Sequence, residues 1–172
     1  MQGRIGILVC SALFTAAMAF AANPQTPQEL QLKFEQEPDA GRQAKLLIEM
    51  SRADFHIVNE QVAAGDNTDA LKTLQQFVDD AEKCSSGLDA REKNPESHPS
   101  GFKQLQIATR ESLRRLDDMT VGLTTDEQVP FLALRKTLDQ LNRHLIRELF
   151  PHEPALSKGA SETKQPPPEV TQ

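Results

Sequence analysis

The chain has no tryptophan and no tyrosine, and its only aromatic rings outside histidine are eight phenylalanines. Stacking platforms for bases or sugars could use only Phe and His. The rings that enrich recognition surfaces are missing too. Glycine is scarce, at eight residues. No strand leads into Gly-x-Gly-x-x-Gly, and neither Gly-x-x-x-x-Gly-Lys-Ser/Thr nor Gly-x-Ser-x-Gly occurs, so the phosphate cradles and the nucleophile turn built on those glycines are excluded. Two-residue apolar alternation, Asn-Gly and Asp-Gly are also absent, which leaves sheets and tight hairpins without a signal. Cysteine occurs twice, at Cys10 and Cys84, with no Cys-x-x-Cys.

Long apolar runs are likewise few. The one present, Ile5 to Phe20, carries no charge, follows Arg4, and closes on the small residues of Ala17-Met18-Ala19-Phe20-Ala21-Ala22. This is the pattern of a secretory signal peptide over residues 1–22, with cleavage after Ala19, Ala21 or Ala22. The run falls short of the roughly 20 apolar residues of a transmembrane helix. Cys10 raises the question of lipid attachment, but Val9 stands where a small residue is needed. The expectation is an exported protein, periplasmic or secreted, with no stable membrane span once the leader is removed. Cys84 then remains as a lone thiol, so there is no internal disulfide framework. It reads either as a small buried hydrophobe or as an intermolecular disulfide that would make a homodimer.

Positive charge is in the minority. Nineteen Lys and Arg face 25 Asp and Glu, for a net charge of −6, and the leader takes away Arg4 but no acid. An acidic balance favours solubility and argues against broad binding to nucleic acid or anionic lipid.

What is present, from Thr26 to Phe150, is helical periodicity. Thr26, Pro27 and Glu29 form a capping-box start for a short helix over Pro27–Gln36. The spacing predicts a second helix over Pro38–Ala64, with Ala44, Leu47, Ile48, Ser51, Phe55, Val58 and Val62 on one face and charged residues opposite. Gly65 ends it as a left-handed cap. A third helix over Thr68–Ala90 carries Leu71, Leu74, Val78, Ala81, Ser85 and Leu88, flanked by Ala70, Phe77 and Cys84. Lys93 to Gly101 is a loop by composition. A fourth helix over Ser100–Val121 turns Phe102, Leu105, Ala108, Thr109, Ser112, Leu116 and Met119 inward. Thr124 or Thr125 can cap the last segment, whose regular part is placed from Pro130 to Phe150, with one loose turn before it. Beyond Pro151 the periodicity stops, and Pro166-Pro167-Pro168 lies among polar residues, a composition that cannot bury enough surface to order itself.

The expected fold is all-α: an antiparallel bundle of about four long amphipathic helices plus a short N-terminal helix, over residues 23–151, followed by a disordered Pro-rich tail over 152–172. The other arrangement compatible with the pattern is a pair of separate hairpins hinged at the Pro-rich loop.

Chemistry-bearing groups are scattered. His56 lies on a charged face, and His98 sits in the loop beside Glu96. His144 and Glu148 are spaced i, i+4 with His152 beyond, a trio that could hold a divalent cation weakly, but without the His-Glu-x-x-His arrangement of a zinc site. Glu49, Glu60, Asp79, Asp80, Asp117 and Asp118 suit solvated faces. Arg110, Arg114 and Arg115 form the densest basic group, neutralised by Asp117 and Asp118. No catalytic set and no cofactor is expected.

Two resemblances bear on function. Ile57 to Ala81 resembles one tetratricopeptide-type hairpin, with Ala63, Gly65, Ala70, Leu74 and Phe77 at that family's packing positions. Val58 stands where the family favours glycine, and no second copy follows. The resemblance implies protein or peptide binding. Leu123-Thr124-Thr125-Asp126-Glu127-Gln128 resembles the Leu-Thr-x-x-Gln motif of small helical periplasmic stress proteins, with Gln128 one position late. That implies a chaperone or stress sensor. The leading expectation is a non-catalytic exported protein that acts by contact with an unidentified envelope protein. A stress sensor or chaperone, and a weak surface metal binder, are the alternatives.

Overall fold

The computed structural model describes residues 25–91 and 95–152. The leader, and the tail beyond His152, lie outside the described residues. Five helices and no strand occur among them: α1 (Pro27–Gln36), α2 (Ala40–Ala63), α3 (Asn67–Arg91), α4 (Ser100–Thr120) and α5 (Thr125–Leu149). None of these helices is long and apolar enough to cross a membrane.

The expected helical bundle is what forms. Each long helix buries one stripe, and all five contribute to a single core that includes Phe34, Phe55, Phe77, Phe102 and Phe131. Phe55 and Phe77 meet edge to face across the α2–α3 contact, at 6.3 Å between ring centres. The single core rules out two separately hinged hairpins. The α2–α3 and α4–α5 hairpins are each antiparallel. Between the hairpins, α2 lies beside α4 and α3 beside α5, while the backbones of α2 and α5 stay apart.

The α2–α4 contact is parallel. The two helices start together where Gly41 meets Gly101 and are still in step at Ser51 and Ser112, whose hydroxyls are 2.8 Å apart. A side chain at Gly101 would crowd the start of this contact. A Cβ on Gly101 would come within 2.5 Å of Leu88 Cδ2 and 3.2 Å of the Gly41 Cα. Ser112 also donates to the Ala108 carbonyl, so the buried hydroxyl pair is satisfied.

Helix α1 begins at the capping box read from sequence, with Thr26 and Glu29 each bonding the other's backbone N–H. Ten residues are too few for a helix to hold alone in water. Leu30 and Phe34 bury against the bundle, each worth about 1.5–3 kcal/mol. Gln43 of α2 donates to the Phe34 and Glu37 carbonyls and so closes the far end of α1.

The last helix departs from the expectation. It runs unbroken from Thr125, through Pro130, rather than starting there. Thr124 and Glu127 form a second capping box. Pro130 removes one hydrogen bond, to the carbonyl of exposed Asp126, where water can replace it.

Candidate functional site: a basic cleft at one end of the bundle

The parallel α2–α4 pairing brings the start of α2, the end of α3 and the start of α4 to the same end of the molecule. Between them lies a cleft of about 900 Å³. Arg42 and Lys45 line it from α2, Arg91 from α3, and His98 and Lys103 from the loop and α4. Asp39 is the one acid on its wall among the described residues. In a chain of net charge −6 this is a local reversal of sign.

The acid is already engaged. Asp39 caps α2, its Oδ1 accepting the Arg42 N–H at 2.9 Å, and its Oδ2 accepts from Arg91 Nη1 at 2.9 Å. The backbone hydrogen bond from Arg42 is the main reason its carboxyl sits below the usual carboxylate range. Glu37, just outside the cleft, holds Arg42 Nη2 at 2.9 Å, and that bond lowers the Glu37 carboxyl while raising the guanidinium. Lys45 and Lys103 have no ion pair among the described residues. The first turn of α4 contains no acid, and Pro99 before it offers no side-chain cap. The cleft therefore faces solvent with unneutralised positive charge, a setting that attracts carboxylate or phosphate groups and weakens with salt.

Of the residues singled out from sequence, His98 lines the cleft, and the others fall elsewhere. His144 Nε2 lies 3.0 Å from Asp89, with Glu148 at 3.9 Å from its other ring nitrogen. His152 does not join them. It is 87% exposed and pairs with Glu96 at 3.8 Å. No group of three or more His, Cys, Asp or Glu side chains able to hold a metal ion occurs among the described residues. His56 pairs with Glu60 on the surface.

Cys84 is fully buried, and its Sγ–H donates to the Ala40 carbonyl at 3.3 Å. Burial pushes the thiol up to about 12, with Asp39 adding to the effect. The small-hydrophobe reading fits this placement. A disulfide to a second chain would need α3 to open.

Two further placements revise the reading of surface charge. Asp80 was expected on a solvated face and is instead 5% exposed, because α1 lies over it. Arg115 reaches from α4 to the Ser51 carbonyl at 3.1 Å and stays near Glu111, while Asp117 takes two hydrogen bonds from Arg135 of α5. Asp117, expected to neutralise the basic group of its own helix, is thus taken by α5, and the acid that Arg115 meets is Glu111 of α4.

Gln128, the residue behind the stress-protein resemblance, has a structural task here. Its amide donates to the Thr120 and Leu123 carbonyls and closes the end of α4. Exposed apolar side chains such as Val121, Val129 and Leu132 are individually ordinary.

The cleft itself is not legible in the sequence because its cations lie far apart along the chain, at positions 42, 45, 91 and 103. One available signal was the start of α4, where the residues before the apolar stripe include no Asp or Thr cap. No protein-family model matches the chain, and neither a curated protein nor a solved structure matches it.

Proposed function

We propose that this is an exported, non-catalytic helical protein that works by contact with another protein of the cell envelope, and that the basic cleft is where the contact is made. The observation that carries the reading is the cleft's charge: among the described residues, four permanent cations and one histidine surround a single, already engaged carboxylate, on an otherwise acidic chain. The partner this fits presents an acidic segment. Complementary charge of this kind sets specificity and encounter rate more than raw affinity. Export rests on the leader pattern of residues 1–22.

The test is paired capture from envelope extract, with the wild-type protein and a Lys45→Glu/Lys103→Glu variant immobilised side by side. One defined protein retained by the wild type, released by raised salt and not retained by the variant supports the reading. Equal retention by both overturns the role of the cleft. Suppression of the aggregation of a model client, with no defined partner retained, would replace this reading with that of a chaperone.

A further inference from the structure

The cleft does not end at its own wall. Arg42 and Lys45 line it from α2, and the same two side chains line a second hollow of about 460 Å³ between α1 and α2. Lys33 and Gln36 of α1 form the far side of that hollow. Helix α1 packs on α2 and α2 packs on α4, while the backbones of α1 and α4 stay apart. The two hollows therefore make one path across the start of α2, from Lys103 of α4 to Lys33 of α1. Two helix spacings are about 16–20 Å, which an extended chain covers in about five or six residues.

Charge and apolar surface alternate along this path. Lys103 and Lys45 stand in the cleft and Lys33 at the other end, none with an ion pair among the described residues. Arg42, shared by both hollows, is held by Glu37 Oε1 at 2.9 Å. The same carboxylate oxygen accepts the Asp39 N–H at 2.9 Å, so this acid is engaged. Glu49 is the other acid of the second hollow, exposed one turn beyond Lys45 on α2. It repels an acidic chain from the α2 side and leaves the way open over Lys33. Between the cationic ends lies Leu46, the one apolar residue that lines the second hollow among the described residues, half-buried against the core.

We propose that this path binds one extended segment of the partner, in which two groups of acidic residues flank an apolar residue. The first group lies among Lys45, Arg91 and Lys103, the apolar side chain meets Leu46, and the second group reaches Lys33. This assignment rests on the cleft being the contact site, and adds the length and order of what is recognised. A cleft that senses charge alone takes any acidic stretch. An apolar contact set between two cationic ends accepts only a segment with the three features in register, and leaves a charge or an apolar surface unmatched in others.

The test is fluorescence anisotropy at low salt, with the purified protein and labelled synthetic peptides. The probe is Glu-Glu-Glu-Gly-Leu-Gly-Glu-Glu-Glu, whose symmetry makes chain direction immaterial. A second peptide replaces its leucine with serine. A third has the same composition with Gly-Leu-Gly moved to one end, so that all the acids are contiguous. The probe is expected to bind about fivefold or more tighter than either of the others, from the leucine contact. Lys33→Glu should weaken the probe by about threefold or more. Lys136→Glu, the same charge change at an exposed position of α5, should fall short of that loss. Equal binding of the probe and either of the other peptides would overturn the extended path, as would equal losses in Lys33→Glu and Lys136→Glu. Binding of all three peptides that is lost in Lys45→Glu/Lys103→Glu would still uphold the cleft in those cases. If no peptide binds the wild type, the cleft reading falls and the path with it.

Discussion

The two ends of the bundle are built on different terms. At the end formed by the α2–α3 and α4–α5 turns, helix termini are closed by local partners. Gly65 takes the left-handed conformation at φ +81, Thr124 and Glu127 cap α5, Gln128 caps α4, and Asn67 of α3 donates to Glu127 across the hairpins at 2.9 Å. At the other end, α2 and α4 begin side by side on bare glycine, α4 begins without a cap, and cations gather around a cavity. The first end reads as a closure. The second leaves the start of α4 and two lysines without such partners, as interaction sites commonly do.

Substitutions at matched positions can break that comparison. The largest effect is expected from Gly101→Val, whose added carbons meet the Gly41 backbone and Leu88, and which should lose about 2–3 kcal/mol in urea unfolding. Gly65→Ala, at the closed end, meets no neighbouring atom and costs only the left-handed backbone, about 1–2 kcal/mol. A loss at Gly65 equal to that at Gly101 would mean that the glycine contact between α2 and α4 is not tight. Next is Gln128→Ala, which leaves the Thr120 and Leu123 carbonyls to water and should cost about 1 kcal/mol. The smallest effect is expected at the charged end. Lys45→Ser with Lys103→Ser should change stability by no more than about 0.5 kcal/mol, since neither lysine holds the fold together. A marked loss there would make these lysines structural and weaken the contrast between the ends.

Cys84 offers a probe of the same contrast. Its thiol is buried, pushed up to about 12 and bonded to Ala40, the first residue of α2. Modification by a thiol reagent at neutral pH should therefore be slow and should report opening of the cleft end. Gly101→Val should speed it more than Gly65→Ala does. Equal acceleration by both would mean that the bundle opens only as a whole.

How much was legible in the sequence depends on the range of the forces involved. Local rules placed α1 to the residue, because Thr26, Pro27 and Glu29 encode a helix start within four positions. At α5 they point to Thr124 as a cap, which it is, but make the turn before Pro130 loose, whereas the capping box with Glu127 keeps it regular. Periodicity found the core stripes but ranked Leu71 over its neighbours Ala70 and Phe77, which are the more deeply buried. It misplaced Asp80, since nothing in α3 announces that a separate ten-residue helix will lie over it. The cleft was the least legible, because residues 42, 45, 91, 98 and 103 come together only through the parallel pairing of α2 with α4, which no single segment encodes.

That pairing also determines how the halves of the molecule are tied. The α2–α3 hairpin and the α4–α5 hairpin share one covalent link, the segment between Arg91 and Ser100, and the cleft is lined by Ser97, His98 and Pro99 of it and by both hairpins. A molecule lodged there would act as a second, noncovalent rivet between them. At a hundredfold excess over its Kd it would add about 2.7 kcal/mol to the cohesion of the whole bundle. Occupancy would then be measurable as melting temperature, without knowledge of what the occupant does.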